Sequence, residues 1–225
     1  MRFQDAARDG RAVVYAGIQA EPVVARAAAL LADATPAQRL LARAVMNGES
    51  TDPQAWTTMF PTLFAADAGG PDRGRSDDIL AVSLQVADRG EQVRSQLRGA
   101  IVEAVTAVLL ARRVGAEDVR RERRILFDGV RAEIHPYDVT VERDGAAEAY
   151  DCKWGARGIN ADVLHQLDDA RGHALEEGEP LRVALVVFDA ERSCRVRLER
   201  QTAPSGSTGL VTLESLDALA APPAP

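Results

Sequence analysis

Apolar residues between positions 91 and 114 recur every three or four residues, the spacing of one face of an α-helix. This stripe predicts a helix from near Glu91 to Val114, and Gly115 suits its C-terminal stop. Val102 and Leu109 add apolar area on another side, so we expect burial on more than one face. The stripe consists of Val93, Leu97, Ile101, Ala104 and Val108.

Residues 1–90 are predicted to be mostly helical and to form a separate N-terminal region. Thr35 followed by Pro36 is typical of a helix start, because threonine caps the first turn and proline fits its first position. The stretch 65–76 is rich in Gly, Pro and Asp and predicts a connector loop.

Beyond Gly115 the apolar period shortens towards two, the period of β-strands. Three strands are predicted, over 119–127, 133–143 and 146–154. Asp128-Gly129 supplies a turn signal between the first two.

A helix is predicted to begin at Asn160, its candidate N-cap. The continuous apolar run 181–190 is typical of a strand inside a sheet, and residues 193–200 favour one more strand. The order helix, three strands, helix, strand predicts an α/β domain over residues 91–220.

Composition limits the function classes. The net charge of −7 argues against a protein that coats nucleic acid by bulk charge, although it is compatible with a carboxylate metal site. No apolar run is long enough to span a bilayer, so no membrane association is expected. The start of the chain has no signal-peptide pattern, and two cysteines cannot form a disulfide framework, so a cytoplasmic location is expected.

The 27 basic residues include a single lysine, Lys153. Strand alternation places Asp151 and Lys153 on one face and Cys152 on the other. Asp138 lies in the preceding predicted strand, and the two strands are expected to pair as an antiparallel hairpin. Asp138 and Asp151 then become neighbours whose repulsion a divalent cation relieves. Glu103, in the apolar helix, is expensive to bury without a partner.

Together, Gly99-Ala-Ile-Val-Glu103, Pro136-Tyr-Asp138 and Asp151-Cys-Lys153 resemble the PD-(D/E)xK nuclease superfamily, which has the restriction-endonuclease-like fold. The resemblance covers about residues 91–200. It implies a metal site formed by Asp138, Asp151, Glu103 and the carbonyl of Cys152, with Lys153 holding the attacking water.

The resemblance also implies Mg²⁺ or Mn²⁺ as cofactor and DNA as substrate, in a restriction or anti-phage role directed by a protein partner or a homo-oligomer. Gln166 resembles a glutamine of the RecB-like branches, but Ala170 stands where those branches carry tyrosine. Arg157, in the loop after Lys153, is a candidate phosphate contact. Arg121 and Arg124 belong to an arginine-rich segment that is either a phosphate-binding patch or a solvated strand.

Two alternatives to a DNA nuclease remain open on the sequence. One is a non-catalytic binding subunit that keeps the nuclease fold, and the acidic net charge suits it. The other is a metal-dependent hydrolase of small nucleotides, since the same ligands serve any phosphodiester. The first alternative predicts that Asp138, Asp151 and Lys153 do not converge.

Overall fold

A computed structural model divides the chain into two compact units. The helical unit is Gly10–Val105, and the sheet unit combines Met1–Asp9 with Thr106–Pro225. The predicted domain boundary at residues 90 and 91 differs from this division, which falls inside one continuous helix. The structure describes residues 1–6, 10–48, 50–65, 70–131, 133, 135–143, 145–201 and 209–222.

Helices form the described part of the helical unit, as the sequence predicts. Its core consists of apolar side chains of α2, α3, α6 and α7, including Leu31, Leu41, Val45, Ile79 and Leu97. The helices are α1 (Gly10–Gln19), α2 (Pro22–Ala32), α3 (Pro36–Asn47), α4 (Pro53–Met59), α5 (Pro61–Phe64), α6 (Gly70–Ala87) and α7 (Glu91–Val114), whose last residues belong to the sheet unit.

Helix α3 begins as predicted. The Thr35 side chain accepts from the Gln38 backbone N–H, the Thr35 backbone N–H donates to Oε1 of Gln38, and Pro36 occupies the first turn. The predicted loop over 65–76 is wrong for residues 70–76, which form the first turns of α6. The Ser76 hydroxyl and the buried Gln38 amide both donate to the carbonyl of Asp72, and these contacts outweigh the loop-favouring composition.

Among the described residues, seven strands form one mixed sheet in the sheet unit. Strands β1, β2, β4 and β5 pair antiparallel, whereas β5, β6 and β7 pair parallel, in the order β1-β2-β4-β5-β6-β7; β3 pairs with β2. Their bounds are β1 (Arg2–Asp5), β2 (Val119–Phe127), β3 (Val130–Arg131), β4 (Tyr137–Arg143), β5 (Ala146–Lys153), β6 (Leu181–Val187) and β7 (Gly209–Thr212).

Helix α8 (Ala161–Glu177) packs against one face of this sheet. The Asn160 side chain caps it as predicted, accepting from the backbone N–H of Val163. Buried side chains of α8, β5 and β6 form the core between them, including Leu164, Leu167, Ala149 and Leu185.

The strand predicted over 193–200 is wrong, because these residues belong to helix α9 (Glu191–Glu199) and its C-terminal end. Cys194 is fully buried in the core, and Leu198, one helical turn later, packs against it. Val196, which an alternating strand would bury with them, is 40% exposed. Short 3-10 helices occur at Ala116–Asp118, Ala156–Gly158 and Leu216–Ala220.

The mixed α/β architecture matches the prediction. Helix α7 is followed by four strands, β2 to β5, rather than the predicted three, because the two-residue β3 forms a hairpin with the end of β2; helix α8 and strand β6 then follow as predicted. Among the described helices, none combines the length and apolarity needed to cross a membrane.

Candidate functional site

A cleft of about 290 Å³ in the sheet unit brings together residues from β4, β5 and α8. We call it the acidic cleft. Asp138, Asp151 and Lys153 all line it, so the convergence that the sequence predicts is present. His135, Pro136, Asn160, Asp162, Val163 and Gln166 complete the lining.

Asp138 and Asp151 are placed by the register of two antiparallel strands. Val139 pairs with Tyr150, and one further step in that register sets Asp138 opposite Asp151. The backbone N–H of Cys152 donates to Oδ2 of Asp138 at 2.5 Å, which fixes one oxygen of that carboxylate. Two carboxyl groups are therefore held at adjacent ends of paired strands.

Lys153 is the last residue of β5, and its ammonium forms an ion pair with Asp151. Burial lowers the pKa of this ammonium, whereas the negative charges of Asp151 and Asp138 together raise it by more. The pKa therefore lies above its usual value. Lys153 therefore stays protonated at neutral pH, and we expect it to act as a cation and hydrogen-bond donor rather than as a base.

The backbone of Lys153 and the turn after it are tied to the end of β6. The backbone N–H of Phe188, just beyond β6, donates to the Lys153 carbonyl at 2.8 Å. The rings of Trp154 and Phe188 stack with centroids 5.0 Å apart. The buried carboxylate of Asp189 accepts from the backbone N–H of Ala156 at 2.9 Å, tying the turn to the end of β6.

Gly158 contributes a close approach. A Cβ on this residue would lie 2.9 Å from Cβ, Cγ and Cδ of Lys153, nearer than real Cβ contacts allow. The absence of a side chain therefore lets the backbone support the lysine stem. The sequence analysis did not single out Gly158 or Asp189, although the glycines flanking Arg157 were a usable signal for a tight turn.

Glu122 was also missed. It lies in β2 with φ of 53°, the left-handed region that a non-glycine residue rarely adopts. The register between β2 and β4 sets it opposite Asp138, and one carboxylate oxygen of each residue lies within 4.8 Å of the other. Such strained conformations cluster at functional sites. The arginine-rich surroundings made Glu122 resemble part of a solvated strand.

Glu103 is buried within the helical unit. Hydrogen bonds to its carboxylate offset the free-energy cost of burying the charge. The Tyr15 hydroxyl donates to one of its oxygens at 2.5 Å and the Gln19 amide to the other at 2.7 Å. Both donors belong to α1, for which the sequence analysis predicted no role. A part for Glu103 in metal binding stays a prediction of the resemblance.

Gln166 lines the acidic cleft, but its amide is engaged with the backbone. Its Oε1 accepts from the N–H of His135 and its Nε2 donates to the carbonyl of His135, both at 3.1 Å. A substrate-binding role for Gln166 stays a prediction. Gln166 fixes the segment that leads into Asp138.

The three arginines predicted to bind substrate lie in different surroundings. Arg121 is exposed on β2, and Arg157 is exposed in the 3-10 turn after β5. Arg124 is largely covered and forms an ion pair with the buried carboxylate of Glu133 at 3.6 Å. Substrate binding by these three arginines stays a prediction.

The donors in the sheet unit suit a hard divalent cation. Asp138, Asp151 and Glu122 offer carboxylate oxygens, the ligands that Mg²⁺ and Mn²⁺ prefer. Oδ1 of Asp151 is buried and makes no hydrogen bond within the described residues beyond its ion pair with Lys153. The thiol of Cys152 lies near Thr106 instead, at 3.6 Å, which leaves only its carbonyl as the predicted ligand.

The chain matches no protein-family model, and no curated protein is significantly similar to it. Among solved structures it is similar to the crystal structure of protein VC1899 from Vibrio cholerae, with 16% sequence identity and a TM-score of 0.48. The similarity covers 97% of this chain and spans 56% of that protein's chain. The functional proposal therefore depends on the geometry of the acidic cleft.

Proposed function

We propose that this protein is a metal-dependent nuclease that hydrolyses phosphodiester bonds of DNA. The observation that supports the proposal is the convergence of Asp138, Asp151 and Lys153 in one cleft. Two carboxylates beside a half-buried ammonium are a costly arrangement unless a charged ligand uses them. A subunit that keeps only the fold has no need of all three groups.

Each of these side chains has a defined part in the proposed reaction. Asp138, Asp151 and Glu122 hold Mg²⁺ or Mn²⁺ through carboxylate oxygens. When bound, the cation polarises the phosphate and makes a coordinated water more acidic. Lys153 orients the attacking water and stabilises negative charge that develops on the phosphate oxygens. Its ion pair with Asp151 keeps the ammonium directed into the cleft.

The choice of DNA, and a role in restriction or anti-phage defence with a directing partner or a second copy, follow from the resemblance to PD-(D/E)xK nucleases. The carbonyl of Cys152 and the carboxylate of Glu103 stay candidate ligands on the same ground. Asp151 occupies the position where glutamate is commoner in those nucleases.

The test is a cleavage assay of the pure full chain on supercoiled plasmid and linear duplex, with Mg²⁺, Mn²⁺ or EDTA. We expect metal-dependent cutting that Lys153→Ala lowers by about 100-fold or more, the scale on which removing one charge-stabilising group acts. Lys153→Arg keeps the charge but replaces a compact ammonium by a planar fork, and we expect little rescue. Glu176→Gln, exposed on α8 outside the cleft, is the matched control.

Cleavage that survives in Lys153→Ala would overturn the assignment. If no metal supports cutting, calorimetric titration with Mg²⁺ separates the remaining possibilities. A chain that binds Mg²⁺ through Asp138 and Asp151 without cutting favours a nuclease that needs its partner. A chain that binds no Mg²⁺ favours the non-catalytic subunit and contradicts the proposal.

A further inference from the structure

A second concave surface of the sheet unit is basic. Helix α9 and the 3-10 turn Ala156–Gly158 enclose a pocket of about 430 Å³. We call it the arginine pocket. Among the residues that line it there are no carboxylates, and the arginines are Arg157, Arg192, Arg197 and Arg200.

Helical spacing concentrates these side chains. Arg192, Val196 and Arg200 follow each other at intervals of four residues, which aligns them on one side of the helix end. Arg195 has no place in that row and forms an ion pair with Glu191 instead. The strand predicted for this segment would have scattered the arginines, so the pocket could not be foreseen from the sequence.

One of the four arginines is held by a hydrogen bond to the backbone. Arg197 is half-buried, and its Nε donates to the carbonyl of Ile159 at 2.9 Å. Arg157, Arg192 and Arg200 are exposed and make no ion pair within the described part of the chain. Three uncompensated cations around one pocket repel each other, although the chain as a whole carries a net charge of −7. An anionic ligand removes that repulsion.

The pocket is joined to the acidic cleft through a single turn. Gly158 supports the stem of Lys153, and Arg157 is the residue before it. Arg157 is therefore presented by the same segment, 154–158, that positions Lys153. Because one short turn carries both residues, a single polynucleotide strand can present one phosphate to the pocket and another to the cleft.

We propose that the arginine pocket binds backbone phosphates of the DNA strand that is cut in the acidic cleft. The inference rests on the proposed function and extends it, because it assigns Arg192 and Arg200 of α9 to substrate binding. Guanidinium groups suit this ligand, since their planar donors pair with phosphate oxygens in a bidentate manner. Contacts to phosphates do not recognise the base sequence; they fix the path of the strand.

The test measures DNA binding separately from cleavage. A fluorescently labelled duplex is titrated by anisotropy with the Lys153→Ala chain in Mg²⁺ at several salt concentrations, and a gel verifies that the duplex stays intact. In that background we compare Arg157→Ala/Arg192→Ala/Arg200→Ala with Arg195→Ala, an arginine of the same helix outside the pocket.

We expect the triple variant to bind at least about tenfold more weakly at moderate salt, with a salt slope reduced by about 0.9 for each phosphate that the variant no longer neutralises. Arg195→Ala should keep both the affinity and the slope. An unchanged slope in the triple variant overturns the proposal, and so does an equal loss in Arg195→Ala. Circular dichroism melting of both variants verifies that each chain is folded.

Phosphate in the pocket could also come from a small molecule, and inorganic phosphate and pyrophosphate are the probes for it. If the triple variant loses calorimetric binding of these ions but keeps its affinity for DNA, the proposal of a strand path is wrong. Failure of the nuclease proposal has a different signature. The intact chain would then neither cut DNA nor bind Mg²⁺, whereas the binding comparison would still give its own answer.

Discussion

The backbone at Gly158 and the aliphatic stem of Lys153 are in direct contact, closer than any residue with a Cβ permits. Lysine has four rotatable side-chain bonds, and holding its ammonium in one place costs conformational entropy. Contact along the stem restricts those bonds before substrate arrives. The single lysine of the chain is thus pre-positioned from two sides, by the glycine and by the carboxylate of Asp151.

Gly158→Ala is expected to lower the cleavage rate by tenfold or more, about 1.4 kcal/mol, because the new methyl group displaces the lysine stem. Metal affinity should change little, since the carboxylates are untouched. Single-turnover cleavage together with Mg²⁺ calorimetry tests this separation. Gly172→Ala is the control, because a Cβ there meets nothing within 4 Å and should stabilise α8 by roughly 0.5–1 kcal/mol. Full activity in Gly158→Ala would contradict the positioning role.

Glu122 combines backbone strain with a ligand position. Glu122→Gly should raise the free energy of unfolding by about 1 kcal/mol, since glycine adopts positive φ without strain, and should weaken Mg²⁺ binding about tenfold. Asp128→Gly relieves the other positive φ found at a non-glycine residue in the described chain, with φ of 45°, and should leave Mg²⁺ affinity unchanged. Urea unfolding and calorimetry measure both quantities. Equal Mg²⁺ affinity in the two variants would remove Glu122 from the site.

Gln166→Ala removes the two hydrogen bonds that hold the backbone of His135. We expect a loss of about 1–3 kcal/mol in the free energy of unfolding. A purely structural residue would affect stability alone. A positioning residue should also weaken Mg²⁺ binding, because the freed segment leads directly into Asp138. His165→Ala, at an exposed neighbouring position of α8, is the control. Unaltered Mg²⁺ affinity in folded Gln166→Ala would limit Gln166 to stability.

Glu133 has a buried carboxylate, and within the described part of the chain neither oxygen makes a hydrogen bond of normal geometry. Burial raises the pKa of this carboxyl group, and Arg124 at 3.6 Å opposes the rise only in part. The folded state therefore binds a proton that the unfolded state has lost. The free energy of unfolding should fall as the pH rises from the ordinary pKa of glutamate through the raised one.

Glu133→Gln should abolish that fall, so the variant becomes more stable than the parent above the raised pKa. Urea unfolding of both chains between pH 4 and 8 measures the difference. A constant difference across this range would show that Glu133 does not titrate differently on folding.

Much of the scaffold was predictable, because strong local signals agreed with the tertiary environment. The Thr35 cap, the end of α7 at Gly115 and the cap at Asn160 are such cases. The convergence of Asp138, Asp151 and Lys153 followed from strand alternation and the order of the strands. The two predictions that failed concern segments whose structure depends on contacts with residues far away in the sequence. The hydrogen bond from Gln38 to the Asp72 carbonyl stabilises the helix over residues 70–76. Burial of Cys194 in the core favours a helix where the sequence pattern favoured a strand.

The missed site residues have a common cause. Gly158 acts through the lack of a side chain, and Asp189 acts through the backbone N–H of Ala156, 33 positions away along the chain. Glu122 is marked by its φ angle, which no side-chain pattern encodes. Sequence reasoning finds residues whose chemistry is in the side chain. Residues that position others become visible only when the backbone is known.

Strand β1 pairs with β2 across at least 118 positions of sequence, and the whole helical unit lies between them along the chain. Closing so long a loop costs entropy that local hairpins such as β4–β5 avoid. The hairpin that carries Asp138 and Asp151 can therefore form early during folding, whereas the edge strand is added late. The acidic cleft is thus built on a local hairpin, and the sheet edge formed by β1 is expected to be added after it.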